Sequence, residues 1–282
     1  MIKISDVEID LNDTVTCGQC FRFKKNCDDS FTMILSDRVI RIKQENNDLI
    51  VYSNNEDDLE NIIINYFDLK TDYNKINKKL IKKDKVLIVP IECSKGFRIL
   101  KQEPFEMLIS YIISQNNNVK RIMKSVDLLS SKFGKKVDFE NEEYYLFPTV
   151  SQLKAVTIDE YRKLGVGFRD RYIKDTVETI LNGGFDVNNV DNLTTNELRK
   201  ELMKLKGVGQ KVADCIMLFS CGREEVFPVD VWVERVMSVL YFKDNKGSMK
   251  KKDIIEYADK NFRKNAGIIQ QHLFYNMREN MI

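Results

Sequence analysis

The hydrophobic pattern changes period once along the chain, and that change constrains the fold more than any single residue. Up to about residue 55, apolar residues recur at every second position. Ile2 and Ile4, Phe21 and Phe23, Phe31, Met33 and Leu35, Ile40 and Ile42, and Leu49 and Val51 carry the pattern. Polar breaks fall at 26–30, 36–37 and 46–48. Alternation broken in this way predicts an antiparallel meander. Residues 56–67 then read as a helix. The stretch 75–85 is rich in lysine and reads as a solvated helix face or a linker. After Ile91 the spacing becomes helical and stays so. Pro104 suits a helix start, with Phe105, Leu108, Ile109 and Ile112 on one face. Val119, Ile122, Met123, Val126 and Leu129 predict a second helix, stopped at Gly134. Thr157 with Glu160, and Thr194 with Glu197, have capping-box spacing. Leu198, Leu202 and Leu205 mark a helix that ends at Gly207. The fold class that follows is α+β: an N-terminal antiparallel β-sheet domain with flanking helices over 1–90, then an all-helical domain over 91–282.

Composition fits two domains. At roughly 150 residues each, 282 residues suffice for two. The apolar share, 43%, is ample for a core. Lysine plus arginine is 45 against 43 acids, a net +2, which excludes a histone-like or tail-driven binder. A local basic surface for nucleic acid stays open. Asp6, Glu8 and Asp10 stand where a secretory leader needs a basic and then an apolar run. The apolar run 86–91 is too short to span a bilayer. Six cysteines in a chain this long do not make a disulfide scaffold. The expected setting is a reducing one: nucleoid-associated cytoplasm in a prokaryote, the nucleus in a eukaryote. With twelve glycines and four prolines, long disordered tracts are not expected.

A short echo appears twice. Leu164-Gly-Val-Gly167 precedes a basic helical segment over 168–181, and Leu205-Lys-Gly-Val-Gly209 precedes another over 210–220. Two glycines around a small apolar residue allow a tight turn. The helix that starts at once offers unpartnered amides and the positive end of its dipole, which suits a phosphate. Arg199, Lys200, Lys204, Lys206 and Lys211 stand near a single acid in sequence, Glu201. A plain helix-to-helix turn is the other reading.

The stretch that follows is more specific. Leu205-Lys-Gly-Val-Gly-Gln-Lys-Val-Ala-Asp-Cys215 leads to Val226-Phe-Pro-Val-Asp230-Val-Trp-Val-Glu-Arg235. Upstream lie Gly18-Gln-Cys-Phe-Arg22, Gly96-Phe-Arg-Ile-Leu-Lys-Gln-Glu-Pro-Phe-Glu106, Ser114-Gln-Asn-Asn-Asn-Val-Lys-Arg-Ile122 and Leu164-Gly-Val-Gly-Phe-Arg-Asp-Arg-Tyr172. Together these resemble the helix–hairpin–helix Gly-Pro-Asp superfamily of base-excision DNA glycosylases, and within it the 8-oxoguanine branch. Recognisable pieces run from about residue 16 to 274, so the resemblance covers nearly the whole chain. It implies a two-lobed helical domain, with the hairpin and catalytic lysine within about 194–222.

The resemblance also implies roles. Lys211 would be the nucleophile that attacks C1′ of the deoxyribose and forms a Schiff base. A lysine must be neutral to attack, so its pKa is expected to be lowered, with the helix dipole and Lys206 disfavouring a second charge. Asp230, an N-cap by position, would also stabilise positive charge on the sugar. The lesion base would leave the stack for a pocket. Its walls would be Gly18, whose carbonyl faces the proton on N7 of 8-oxoguanine, with Gln270 on the Watson–Crick edge and Phe274 and Cys215 on the two ring faces. Asn116, Arg121 and Arg169 would read the estranged cytosine, and Phe168 would wedge into the duplex. Gly207, Val208 and Gly209 would hold a phosphate. Read without the motif, Lys211 is a surface lysine, Gly18 a turn glycine, and Phe274 and Cys215 ordinary core.

Trp232 departs from the pattern, because better-known relatives carry histidine there. No cysteine follows Cys221, so the iron–sulfur loop of some hairpin glycosylases is not expected. Cys17-Gly-Gln-Cys20 lies in the meander rather than at the start of a βαβ helix, and His272 is the sole histidine, so neither redox nor zinc chemistry is expected of it. The chemistry calls for no metal or redox cofactor, although the hairpin carbonyls could take a monovalent cation. The expected partner is duplex DNA with 8-oxoguanine opposite cytosine, met by a monomer and no membrane. Two rivals remain. A glycosylase for alkylated purines would lack the lysine, and a non-catalytic hairpin module would need neither Lys211, Asp230 nor Gln270.

Overall fold

The computed structural model describes residues 1–242 and 250–280. The N-terminal part holds β1 (Ile2–Ile4), α1 (Leu11–Thr16), β2 (Phe23–Lys25), β3 (Phe31–Leu35), β4 (Arg38–Glu45) and β5 (Asp48–Ser53). The five strands form one antiparallel sheet in the order β1-β5-β4-β3-β2. Alternation fixes the register: Phe31 pairs with Ile42 and Ile42 with Val51, all of them buried. Helix α2 (Leu59–Tyr66) then lays Leu59 and Ile63 on the sheet, with Phe67 just beyond it. Each fully buried side chain of this size contributes about 1.5–3 kcal/mol. Helix α1 was not foreseen. It places Cys17 and Cys20 in the loop after a short helix rather than within the meander.

Helices follow: α3 (Tyr73–Lys83), α4 (Ile88–Cys93), α5 (Pro104–Ser114) and α6 (Val119–Phe133). The lysine-rich stretch is therefore a helix and no linker. Pro104 opens α5 as its first residue. A hairpin, β6 (Lys136–Phe139) with β7 (Glu142–Tyr145), interrupts the helical run. Its turn residues Glu140 and Asn141 are both left-handed, at φ 51° and 65°. Two such residues match the twist of a hairpin, but without glycine the sequence gives no turn signal. Gly134 is required by close approach: a Cβ there would lie 1.9 Å from the Leu146 carbonyl.

The remaining helices are α7 (Ile158–Lys163), α8 (Asp170–Leu181), α9 (Thr195–Lys204), α10 (Gln210–Ser220), α11 (Val231–Tyr241), α12 (Lys251–Asn261) and α13 (Ala266–Asn280). Thr157 and Thr194 close the two capping boxes. The α+β class and the order of sheet then helices are as the periodicity indicates. Among the described residues, no helix is long and apolar enough to cross a membrane.

Buried polar groups join the sheet part to the helices. Gln19 Nε2 donates to the carbonyls of Thr14 and Arg98, each at 2.8 Å, and Gln19 Oε1 accepts from Leu100 N. Gln102 N donates to the Phe219 carbonyl at 2.9 Å. The loop carrying Gly18 is thereby fixed against α10. His272 anchors α13 on its far side: Nδ1 pairs with the Ser94 hydroxyl at 2.6 Å and Nε2 with Asn77 Oδ1 at 3.1 Å. Burial pushes the His272 pKa down to about 4, so the ring is neutral.

Arg22 and Glu106 are buried 3.9 Å apart. Burial pushes the Glu106 carboxyl up to about 7 from 4.5, against the pull of Arg22. Between those two pH values the folded chain holds more protons than the unfolded one, so this group's contribution to stability falls as pH rises. Its full effect is about 3 kcal/mol. Denaturant unfolding of wild type and Glu106→Gln between about pH 4.5 and 7.5 should show that slope in the wild type only. Parallel curves would remove Glu106 from the account.

Candidate active site

Gly18, Lys211, Cys215, Asp230, Gln270 and Phe274 come from distant parts of the chain to one place. With Cys17, Tyr111, Phe219, Pro228 and Gln271 they line a cavity of about 60 Å³. Ligand sites usually enclose ~300 Å³ or more, so these walls must part to admit a purine. Phe274 is only half-buried. A larger cavity, about 630 Å³, lies between β2, β3, α6 and β7, and it brings no lysine amine beside an N-cap carboxylate.

Local chemistry positions each wall. Gly18 has φ +93°, a backbone that side chains rarely adopt. Lys211 and Cys215 are one helical turn apart on α10. Asp230 caps α11: Oδ1 accepts from Trp232 N at 3.0 Å and from Val233 N at 2.9 Å. Gln270 is buried, and its Oε1 accepts from Gln271 Nε2 at 2.8 Å. Arg278 donates to the carbonyls of Cys17 and Thr16, and its guanidinium lies 5.7 Å from the Phe274 ring centroid. It ties the last helix to the Gly18 loop.

The expected lowering of the Lys211 pKa is not what the DNA-free protein shows. Burial lowers it, but the Cys215 sulfur as hydrogen-bond partner and the Asp230 carboxylate as a charge together outweigh burial, and the net direction is up. Lys211 therefore rests as an ammonium. Burial pushes the Cys215 thiol up to about 11, so it stays protonated. Lys206, counted from the sequence as a repelling neighbour, forms an ion pair with Asp175.

A second set of residues forms a continuous surface. Gly207 has φ +82°, and a Cβ there would come within 2.4 Å of the Tyr172 ring on α8. Tyr172 meets Phe168 edge-on at 5.9 Å. Phe168 is 56% exposed, and the Arg169 guanidinium sits 4.5 Å from its ring centroid. Asn116 and Arg121 are exposed at the turn before α6 and in its first helical turn. Asn116 is left-handed at φ 45°.

Three expectations need correction here. Arg169 is buried, not free: it donates to the carbonyls of Gln115, Asn116 and Val166. Val208 faces the core and its amide donates to the Leu205 carbonyl at 3.0 Å, leaving Gly209 and the start of α10 to face outward. The basic cluster also meets more acids than Glu201 alone, because Asp214 pairs with Arg199 and Asp175 with Lys206. Trp232 is half-buried, with the Arg235 guanidinium 5.1 Å from its ring centroid.

Tyr111, Gln271 and Arg278 were missed. Arg278 falls four and eight residues after Phe274 and Gln270, which a helical reading of that face would have reached. Tyr111 and Gln271 gave no local signal.

The geometry agrees with known proteins. The family model for the 8-oxoguanine DNA glycosylase N-terminal domain matches residues 1–108. That for HhH-GPD superfamily base-excision DNA repair proteins matches 109–264. The chain is 31% identical over 263 residues to an N-glycosylase/DNA lyase of Saccharomyces cerevisiae, covering 83% of this chain and 69% of that one. It is 29% identical over 256 residues to N-glycosylase/DNA lyase OGG1 of Arabidopsis thaliana, covering 88% and 70%. Among solved structures it resembles the 8-oxoguanine glycosylase/lyase of Clostridium acetobutylicum, in complex with DNA containing cytosine opposite 8-oxoguanine. The TM-score is 0.93 at 39% identity, over 98% of this chain and 94% of that one. Matched along both halves and carrying a lysine and an aspartate in one cavity, the chain belongs to the 8-oxoguanine DNA glycosylase family of helix–hairpin–helix base-excision repair proteins.

Proposed function

We propose that Lys211 and Asp230 carry out a bifunctional reaction, excision of 8-oxoguanine from duplex DNA followed by cleavage at the abasic site. The observation that supports this most is a lysine beside an N-cap carboxylate in one cavity, whose remaining walls suit an everted purine. Lys211 first loses its proton. The amine then forms a bond to C1′ as the glycosidic bond breaks, and that bond's electron pair leaves with the base. The Asp230 carboxylate stabilises the positive charge on the sugar. The attacking nitrogen gives up a proton. Its lone pair then forms C=N as the C1′–O4′ bond breaks, and O4′ takes that bond's electron pair and a proton. The resulting ring-opened iminium makes the C2′ proton acidic. Its loss expels the 3′ phosphate, which is β-elimination. No metal or redox cofactor enters these steps.

Cys215 and Phe274 would flank the base, and Gln270 would hold its Watson–Crick edge. Asn116, Arg121 and Arg169 would meet the cytosine, while Phe168 fills the gap. Gly209 and the first amides of α10 would grip a phosphate. One copy of the chain carries every one of these residues, so a monomer suffices.

Discrimination falls to the Gly18 carbonyl. Gln270 reads an edge that guanine and 8-oxoguanine share. N7 carries a proton only in the lesion, so only the lesion gives the carbonyl a hydrogen bond. An unmade buried hydrogen bond costs about 1–3 kcal/mol, or about 5- to 150-fold in binding. Single-turnover excision should release free base and cut the strand for 8-oxoguanine. It should discriminate against 8-oxo-7-deazaguanine by a factor in that range. Equal handling of the two would show that the C8 oxygen is read and remove Gly18 from the role. No base release from 8-oxoguanine at all would overturn the substrate.

A further inference from the structure

Tyr111 forms a wall of the cavity to which neither the motif nor the chemistry above gives a task. It lies on α5 and is buried. Its ring is held on two sides: Phe219 of α10 stacks on it at 5.8 Å and 13°, and Phe21 meets it edge-on at 5.6 Å and 71°. The Lys211 Nζ lies 5.3 Å from its centroid. That distance is within the range in which an ammonium is drawn to an aromatic face.

A lysine side chain is long and flexible, whereas a nucleophile must stand close to its target in line. The charged or titratable groups around Lys211 are Cys215 on its own helix, Asp230 at the start of α11, Tyr111 on α5 and Cys17 at the end of α1. Asp230 already holds two amides of α11 with one oxygen. The aromatic face is rigid where the lysine is not.

We propose that Tyr111 is a positioning residue for the nucleophile: its ring seats the Lys211 ammonium in the DNA-free enzyme and so sets the place from which the amine starts when its proton goes. The ring attracts the charged form and has little hold on the neutral one, so deprotonation itself releases the lysine. The proposal rests on Lys211 being the nucleophile. The hydroxyl has no part in it.

The test uses the full chain and a duplex carrying an abasic site. The second-order rate constant of borohydride trapping, followed from about pH 7 to 11, reports groups of the free enzyme. Tyr111→Phe should retain the wild-type acid limb. Pentafluorophenylalanine at position 111 keeps the shape of the ring but removes the negative face. It should move the acid limb to lower pH by about half to one unit, because a lost cation–π contact disfavours the ammonium. Tyr111→Leu should move it the same way and also slow trapping about tenfold, as position is lost. An unmoved acid limb in the folded pentafluoro variant overturns the proposal, whether or not the leucine variant folds. Peptide mapping of the wild-type adduct separates the two ideas. An adduct on another residue defeats the reading of Lys211, whereas an adduct on Lys211 with an unmoved limb defeats only the role of Tyr111.

Discussion

Lys211→Gln should lose base release and covalent trapping by about 10³-fold or more while still binding lesion DNA. Glutamine is neutral, cannot form a Schiff base and is shorter than lysine. It leaves most of the cavity walls in place, because Asp230 is held by the Trp232 and Val233 amides and Gln270 by Gln271, and only the Cys215 thiol loses a hydrogen bond to Lys211. Binding to 8-oxoguanine duplex should change by only a few-fold. The loss comes from removing a bond-forming group, not a contact. Single-turnover excision and equilibrium binding on one duplex measure the two quantities. Measurable excision near the wild-type rate would show that water or another residue attacks C1′.

The two hairpin glycines should fail in opposite ways, although the sequence presents them as a matched pair. Gly207 is left-handed, and any side chain there meets Tyr172. Gly207→Val should destabilise the fold by about 2–4 kcal/mol through backbone strain and overpacking. Gly209 has φ −89° and ψ 177°, an extended backbone that any residue adopts. A Cβ there meets nothing within 4 Å. Gly209→Val should therefore melt like the wild type and bind both lesion and undamaged DNA more weakly. The slope of log affinity against log salt should fall by about 1 if one phosphate contact is lost. Thermal melts and salt titrations separate the two. A destabilised Gly209 variant, or a wild-type salt slope in a folded one, would contradict the phosphate role.

That contrast shows what the sequence could convey. Signals confined to a few neighbouring residues were legible: Pro104 at the start of α5, the capping boxes at Thr157 and Thr194, and Asp230 as an N-cap. Strand alternation was legible too, because one buried face enforces it. The residues gathered in the cavity were legible through a motif, not through physics, since nothing local joins Gly18 to Gln270. What escaped depends on tertiary neighbours. The burial of Arg169 depends on the Gln115 and Asn116 carbonyls, 54 and 53 residues upstream, which no local pattern brings to it. The sign of the Lys211 shift depends on Cys215 and Asp230 being close enough to outweigh burial. The β6–β7 turn escaped because Glu140 and Asn141 do with strain what glycine would do freely.

The central claim is that the Lys211 amine is the group that bonds to the sugar. The most direct measurement is digestion of the borohydride-reduced complex with 8-oxoguanine duplex, followed by identification of the cross-linked peptide by mass spectrometry. The account predicts one adduct, on the side chain of Lys211 and bearing the opened sugar. An adduct on a different residue, or release of the base with no adduct at all, would contradict it.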